Sequence, residues 1–294
     1  MIRALLALLH LACLSAGLAG CHVPEPRPQP DGPRSTVRFD ERIAWENHGS
    51  GDEALVFVHG WACDRSVWAK QMESLAPWRR IAIDLPGHGE SDKPRIAYDV
   101  DVMVEALLAV LDDAHVVRAV LVGHSNGGVT VRRFLELHPE RVAGLVLVDA
   151  PLKPFFESPE QGRKFVAPLR GSGWRAWAAK FVDTLLAPMH SAEDRKHVRA
   201  VMLGTSQHVL LSSFEGTLDP ALWSEQPIRV PLMLVLAKQP AWEGDYRAFA
   251  EKLAPGLRWE MLTGVSHFLM LDEPGRFDEL MRSFLIEGAP FARH

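Results

Sequence analysis

The chain has 294 residues, with 32 Lys and Arg against 37 Asp and Glu and a formal net charge of -5. That balance supplies no reason to expect nucleic acid, which calls for a clustered basic face. A composition 47% hydrophobic and 23% charged is ordinary for a globular protein, and the length suits one large α/β domain with an insertion better than two equal domains. Beyond the first twenty-odd residues, no stretch is apolar for long enough to span a bilayer.

The N-terminal residues stand apart. Met1-Ile2-Arg3 makes a short positive start, and residues 4 to 19 form an apolar run interrupted only by His10, Cys13, Ser15 and Gly17. This is the layout of a secretory signal peptide over residues 1–20, not of a fold element. Leu18-Ala19-Gly20-Cys21 resembles the lipobox of bacterial lipoproteins; the resemblance implies cleavage before Cys21 and lipid on its thiol. The expected location is the bacterial cell envelope, lipid-anchored on a periplasmic or extracellular face, with a soluble secreted protein as the alternative. Prolines crowd residues 24–33, so 21–35 is expected to be an extended tether. With Cys13 cleaved off and Cys21 modified, only Cys63 of the three cysteines remains, and no internal disulfide can form. Cys63 itself reads as a small buried residue.

From Val37 the pattern becomes strand, turn, helix, repeated. Residues 37–39 and 43–46 suit a leading hairpin. Residues 54–58, 81–83, 117–122, 143–148 and 232–236 are apolar, β-branched runs of the kind buried on both faces of a parallel sheet, and 258–262 suits a last strand. Amphipathic stretches at 66–75, 100–111, 128–137, 246–253 and 276–285 alternate with them. Such alternation predicts a mostly parallel sheet covered by helices on both faces, with ligands bound beyond the carboxyl ends of the strands. Residues 151–229 break the rhythm: they hold helix-like segments rich in Phe, Trp and Met and no buried strand. They are expected to form a helical cap inserted into a core made of 36–150 and 230–294.

The chemistry-bearing residues fall at strand ends. Gly123-His124-Ser125-Asn126-Gly127 matches Gly-x-Ser-x-Gly, a string that alone arises by chance in roughly one chain in ten of this length. Its context is more specific, since an apolar strand precedes it and a helix begins at Gly127-Gly128. A sharp strand-to-helix turn brings backbone too close for a Cβ and lifts the serine hydroxyl out of the sheet. The helix also points its positive end at a developing oxyanion. With these residues the chain resembles the α/β-hydrolase fold family across essentially all of its mature length. His59-Gly60-Trp61 resembles the family's oxyanion loop, Asp84-Leu85-Pro86-Gly87-His88-Gly89-Glu90-Ser91 its Asp-x-x-Gly-x-Gly-x-Ser turn, and Gly264-Val265-Ser266-His267 the loop carrying its histidine. The resemblance implies Ser125 as nucleophile, His267 as general base, and the N–H groups of Trp61 and Asn126 as the oxyanion hole.

The third triad member departs from the family's common pattern. An acid is usual just after the strand that follows the cap, but Ala237-Lys238-Gln239-Pro240-Ala241 holds no carboxylate. Asp149, at the end of the preceding strand, is the favoured candidate, because a strand end holds a carboxylate rigidly. Some haloalkane dehalogenases of the fold resemble that arrangement. Glu243 and Asp245 remain alternatives from the following loop. Ser125 at the elbow argues against the dehalogenase and epoxide-hydrolase chemistries of this fold, which use Asp there.

These features imply a serine hydrolase cleaving a carboxylic ester, lactone or thioester through an acyl-enzyme. Neither a cofactor nor a metal is implied: no metal-ligand spacing, Gly-x-Gly-x-x-Gly or phosphate loop is present. The aromatic cap residues Phe155, Phe156, Phe165, Trp174, Trp177, Phe181, Met189, Met202, Phe214 and Trp223 favour a small, apolar, uncharged substrate group. Alternatives on the same triad are a carbon–carbon bond hydrolase and an acyltransferase. A non-catalytic binding protein that retains the fold is the rival from another class.

Overall fold

A computed structural model describes residues 30–38, 40–288 and 290–291. The signal peptide expected over 1–20 and the lipidation site Cys21 lie outside the described residues. The strands are β1 (Gly32–Arg38), β2 (Glu41–His48), β3 (Glu53–Val58), β4 (Arg80–Ile83), β5 (Arg118–His124), β6 (Val142–Val148), β7 (Leu232–Ala237) and β8 (Arg258–Leu262). They form one sheet in the order β1-β2-β4-β3-β5-β6-β7-β8. β2 pairs antiparallel with β1 and β4, and every other pairing is parallel. The α-helices among the described residues are α1 (Ala69–Ser74), α2 (Val100–Asp113), α3 (Asn126–Leu137), α4 (Pro159–Val166), α5 (Trp174–Leu186), α6 (Ala192–Gly204), α7 (Gln207–Gly216), α8 (Tyr246–Leu253), α9 (Leu269–Asp272) and α10 (Pro274–Glu287). A 3-10 turn, Arg65–Trp68, precedes α1 where one continuous helix was expected.

The two-residue period of a strand sorts its side chains onto two faces. Val56, Val58, Leu121, Leu145, Leu147, Leu232 and Leu234 join a cluster with α2, α3 and α8. Their sequence neighbours Leu55, Phe57, Val120, Val122, Val146, Val148, Met233 and Val235 join the opposite cluster with α1 and α10. All of these strand residues are at most 3% exposed, so neither face of the central strands meets water. Each such side chain contributes about 1.5–3 kcal/mol when fully buried. This is why the runs in the sequence are continuous rather than alternating.

Helices α4 to α7 lie between β6 and β7. Ser158, Ser191 and Ser206 cap α4, α6 and α7, each hydroxyl accepting from the N–H three residues on. Their inward residues Val166, Ala178, Val182, Leu186, Val198, Met202 and Leu210 are buried in the same cluster as α1 and α10. Arg132 of α3, 3% exposed, donates to Leu152 O at one root of this segment and to Ser224 O near the other. Leu152 N also donates to Tyr246 Oη at 2.7 Å.

One boundary needs correction. The tether expected over 21–35 ends earlier, because residues 32–35 are the first half of β1, paired with β2 from Gly32↔Asn47 onward. β1 is an edge strand with one neighbour, where Pro33, lacking an N–H, is tolerated. Gly32 lies level with Asn47, which pairs with Ile81 near the start of β4. The described chain therefore begins at the amino ends of the parallel strands.

Candidate active site

Ser125 follows β5 and precedes α3 with φ 53 and ψ -121, a backbone that L residues rarely adopt. The surroundings hold it there: Ser125 N donates to Val148 O and Gly128 N donates to Ser125 O, both at 2.9 Å. A Cβ on Gly123 would lie 2.5 Å from Gly127 O, and one on Gly127 would lie 2.4 Å from Val58 O. Both contacts are with backbone, which cannot swing aside. Ser125 is the residue before the first turn of α3, where serine often caps, yet its hydroxyl makes no capping bond. The hydroxyl is thus free for chemistry, and the first N–H groups of α3, starting with Asn126, have no intrahelical partner.

His267 sits in the loop between β8 and α9, and Asp149 closes β6 with φ 44. His267 Nδ1 is 2.6 Å from Asp149 Oδ2, which assigns the proton to Nδ1 and leaves Nε2 as the accepting nitrogen. The loop is fixed on several sides. Ser266 N and Oγ both donate to Asp272 Oδ2 at 2.6 Å, His267 N donates to Leu185 O of α5 at 3.4 Å, and His124 Nε2 donates to His267 O at 2.9 Å. Asp149 is 2% exposed, and its carboxylate takes further bonds from Ala237 N at 3.0 Å and Trp242 Nε1 at 2.8 Å. Gln239 Nε2 lies 3.4 Å from its Oδ2. Glu243 and Asp245, the two alternative acids, are exposed and do not line the cavity that holds His267.

Trp61 and Asn126 line that cavity together with Ser125, Asp149 and His267. A Cβ on Gly60 would stand 3.0 Å from Ser125 Cβ, so the loop after β3 can lie against the elbow only with glycine there. The Trp61 indole donates to Leu210 O of α7 at 2.8 Å, tying this loop to the inserted helices. Asp84 organises the neighbouring turn and stays out of the cavity. Its buried carboxylate pairs with the Arg65 guanidinium and accepts from Arg65 N at 2.7 Å and Glu90 N at 2.8 Å.

Three further histidines are buried around this site, of which His124 also lines the cavity. Burial pushes His124 well below the ordinary imidazole range, and neighbouring His267 pushes the same way. Burial likewise takes His88 down to about 3, aided by His59, while His59 itself is lowered chiefly by burial. His59 donates from Nδ1 to Gly60 O at 2.9 Å and accepts at Nε2 from Leu85 N at 3.0 Å, a pairing that needs the neutral ring. Cys63 is buried, as its residue type suggested, and burial raises its thiol pKa well above the usual range.

The cavity measures about 360 Å³. Of the aromatic and Met residues expected near the substrate, Phe155, Phe156, Phe165, Phe181, Met202, Phe214 and Trp223 line it, whereas Trp174, Trp177 and Met189 do not. Trp177 instead backs the wall, stacking on Phe181 at 5.3 Å and meeting Phe165 edge-on at 5.3 Å. Among the described residues, no Lys or Arg lines the cavity. Gln239 and Trp242, which sequence reasoning passed over, line it beside Asp149. Among the described residues no three His, Cys, Asp or Glu are grouped to hold a metal ion, and no helix is long and apolar enough to cross a membrane. A serine hydroxyl, an imidazole with a free Nε2 and a buried carboxylate in one cavity can carry out acyl transfer.

Comparison with known proteins agrees with this geometry. The chain is 29% identical over 268 residues to a Bacillus subtilis protein provisionally named as a 2-succinyl-6-hydroxy-2,4-cyclohexadiene-1-carboxylate synthase, covering 85% of this chain and 97% of that one. It is 26% identical to the carboxylesterase YbfK of Bacillus subtilis, covering 80% and 81%. Among solved structures it resembles Est816, described as an N-acyl homoserine lactone degrading enzyme, with a TM-score of 0.70 and 25% identity over 85% of this chain and all of that one. The family model for the alpha/beta hydrolase fold matches residues 53–247. The chain belongs to the alpha/beta hydrolase fold family.

Proposed function

We propose that this protein hydrolyses an uncharged carboxylic ester or lactone through an acyl-enzyme on Ser125. The observation that carries the reading is the 2.6 Å hydrogen bond from His267 Nδ1 to Asp149 in the cavity that Ser125 lines. With Nδ1–H committed to the carboxylate, His267 Nε2 accepts the Ser125 proton as the oxygen attacks the carbonyl carbon. The same nitrogen, now protonated, delivers that proton to the leaving alcohol. Water then repeats the sequence on the acyl-enzyme, and the acid is released with Ser125 restored. N–H groups of Trp61 and Asn126 face the oxyanion, each such donor stabilising the transition state by about 3 kcal/mol.

The similarity to a carboxylesterase and to a lactone-degrading enzyme supports ester and lactone substrates. The aromatic wall and the absence of Lys and Arg from the cavity favour a neutral group, since a buried carboxylate without a cation is costly. That argues against a ligand of the kind in the name of the synthase relative, a carboxylate that a synthase forms as its product. Asp149 beside His267 supplies the carboxylate that is missing after β7, which supports the catalytic reading over a non-catalytic binding protein. The test is fluorophosphonate labelling together with hydrolysis of p-nitrophenyl esters of graded acyl length. An adduct on Ser125, lost with activity in Ser125→Ala, is expected; a wild-type protein that takes no label and hydrolyses no ester sinks the reading.

We also infer from the Leu18-Ala19-Gly20-Cys21 string that the protein is exported and lipid-anchored at Cys21. Palmitate incorporation in the intact protein that disappears in Cys21→Ser is the expected result, and no incorporation at all overturns it.

A further inference from the structure

The Asp149 carboxylate is more fully engaged than its partnership with His267 requires. Oδ2 faces His267 Nδ1 at 2.6 Å, and Oδ1 accepts from Ala237 N at 3.0 Å and from the Trp242 indole N–H at 2.8 Å. The Gln239 amide nitrogen lies 3.5 Å from Oδ1 and 3.4 Å from Oδ2, spanning both. A carboxylate offers about four lone-pair sites, and here donors meet all of them. All three donors besides His267 come from one short segment, the end of β7 and the 3-10 turn Pro240–Trp242. Trp242 is 4% exposed and Gln239 half-buried, and both also line the cavity.

We propose that Trp242 and Gln239 are positioning residues that hold the Asp149 carboxylate in the one orientation that aligns His267 for Ser125. This rests on the reading of Asp149 as the residue that orients His267. Ala237 supplies a backbone donor that no substitution short of proline removes, so the adjustable part of the cradle is the indole and the amide. Without them the carboxylate keeps its negative charge but can rotate about its side-chain torsions, and the imidazole follows it. A displacement of the order of 1 Å in such a group costs about a hundredfold in rate. Because Trp242 also forms cavity wall, positioning and wall roles must be separated, and the kinetics separate them. Loss of wall moves KM, whereas loss of alignment moves kcat and the rate of reaction with a phosphonate that occupies little of the cavity.

The decisive variant is Trp242→Phe, which keeps an aromatic ring and deletes the N–H. It is expected to lower kcat by about 10- to 100-fold, slow fluorophosphonate labelling in proportion, and leave KM within about threefold. Should that variant not fold, Gln239→Leu at its half-buried position carries the same test, with a fall in kcat and labelling of about threefold to tenfold. A folded Trp242→Phe with wild-type kcat and labelling rate, or one in which only KM moves, overturns the proposal. A folded Gln239→Leu with wild-type kcat and labelling rate overturns the part assigned to Gln239. Asp149→Asn alone discriminates the two levels. If it is as active as wild type, the reading of Asp149 itself fails; if it is inactive while Trp242→Phe is normal, only the cradle fails.

Discussion

The two halves of the cavity floor are built on different principles. The half around Ser125 is set by the absence of atoms: Gly60, Gly123 and Gly127 each leave no room for a Cβ, and backbone bonds alone hold the strained turn. The half around His267 is set by side-chain bonds, with Asp149, Ser266, Asp272, His124, Gln239 and Trp242 each contributing a donor or an acceptor. A site excluded by backbone contact has one solution. A carboxylate gripped by hydrogen bonds has several, because the grip and the acid can be exchanged between neighbouring strand ends. The elbow accordingly conforms to its motif, while the carboxylate that meets His267 stands at the end of β6 and not after β7.

The contrast breaks first on Gly127→Ala. Its Cβ would meet Val58 O at 2.4 Å and His59 O at 2.5 Å, so soluble expression and circular dichroism are expected to report loss of the native fold. A folded, active Gly127→Ala would refute the steric half of the comparison. Asp149→Asn tests the other half: kcat is expected to fall by about four orders of magnitude with the unfolding midpoint little changed, because the tautomer of His267 is lost while packing is kept. Unfolding on that change would mean that the acid half is structural as well.

A third measurement addresses the wall that both halves share. An ester whose acyl chain ends in a carboxylate should have a kcat/KM at least about a hundredfold below its methyl-ended homologue, since no cation awaits it. Equal rates would show that an anion finds a partner in the cavity. The smallest effect concerns the buried histidines behind the elbow. His88 titrates near 3 when folded and in the ordinary imidazole range when unfolded, so below pH 6.5 the unfolded chain binds the extra proton. Its contribution is complete above pH 6.5 and is lost as the pH falls toward 3, about 2 kcal/mol by pH 5. Denaturant titrations at pH 7 and pH 5 should show that loss, and His88→Asn should reduce it.

The sheet was legible because burial on both faces writes itself as continuous apolar runs such as Leu55–Val58 and Leu145–Val148. Ser125 and His267 were legible because their loops have local signatures. Asp149 could only be favoured over Glu243 and Asp245, since nothing local says which carboxylate meets a histidine 118 positions away. Trp242 and Gln239 left no signal at all. Their partner lies 93 and 90 positions off, and a tryptophan near the end of a strand reads as core. The edge strand was misjudged at Pro33 because composition registers proline as a breaker without knowing which strand has a free side.

The position of β1 has a practical corollary. Whatever precedes Pro30 joins the body at the amino ends of the parallel strands, whereas Ser125, Asp149 and His267 sit at or beyond the opposite ends. A support attached directly at Pro30 therefore meets the end of the sheet opposite to the one that carries Ser125, Asp149 and His267. Immobilised that way, the protein keeps the carboxyl ends of its parallel strands, where Ser125, Asp149 and His267 stand, away from the point of attachment.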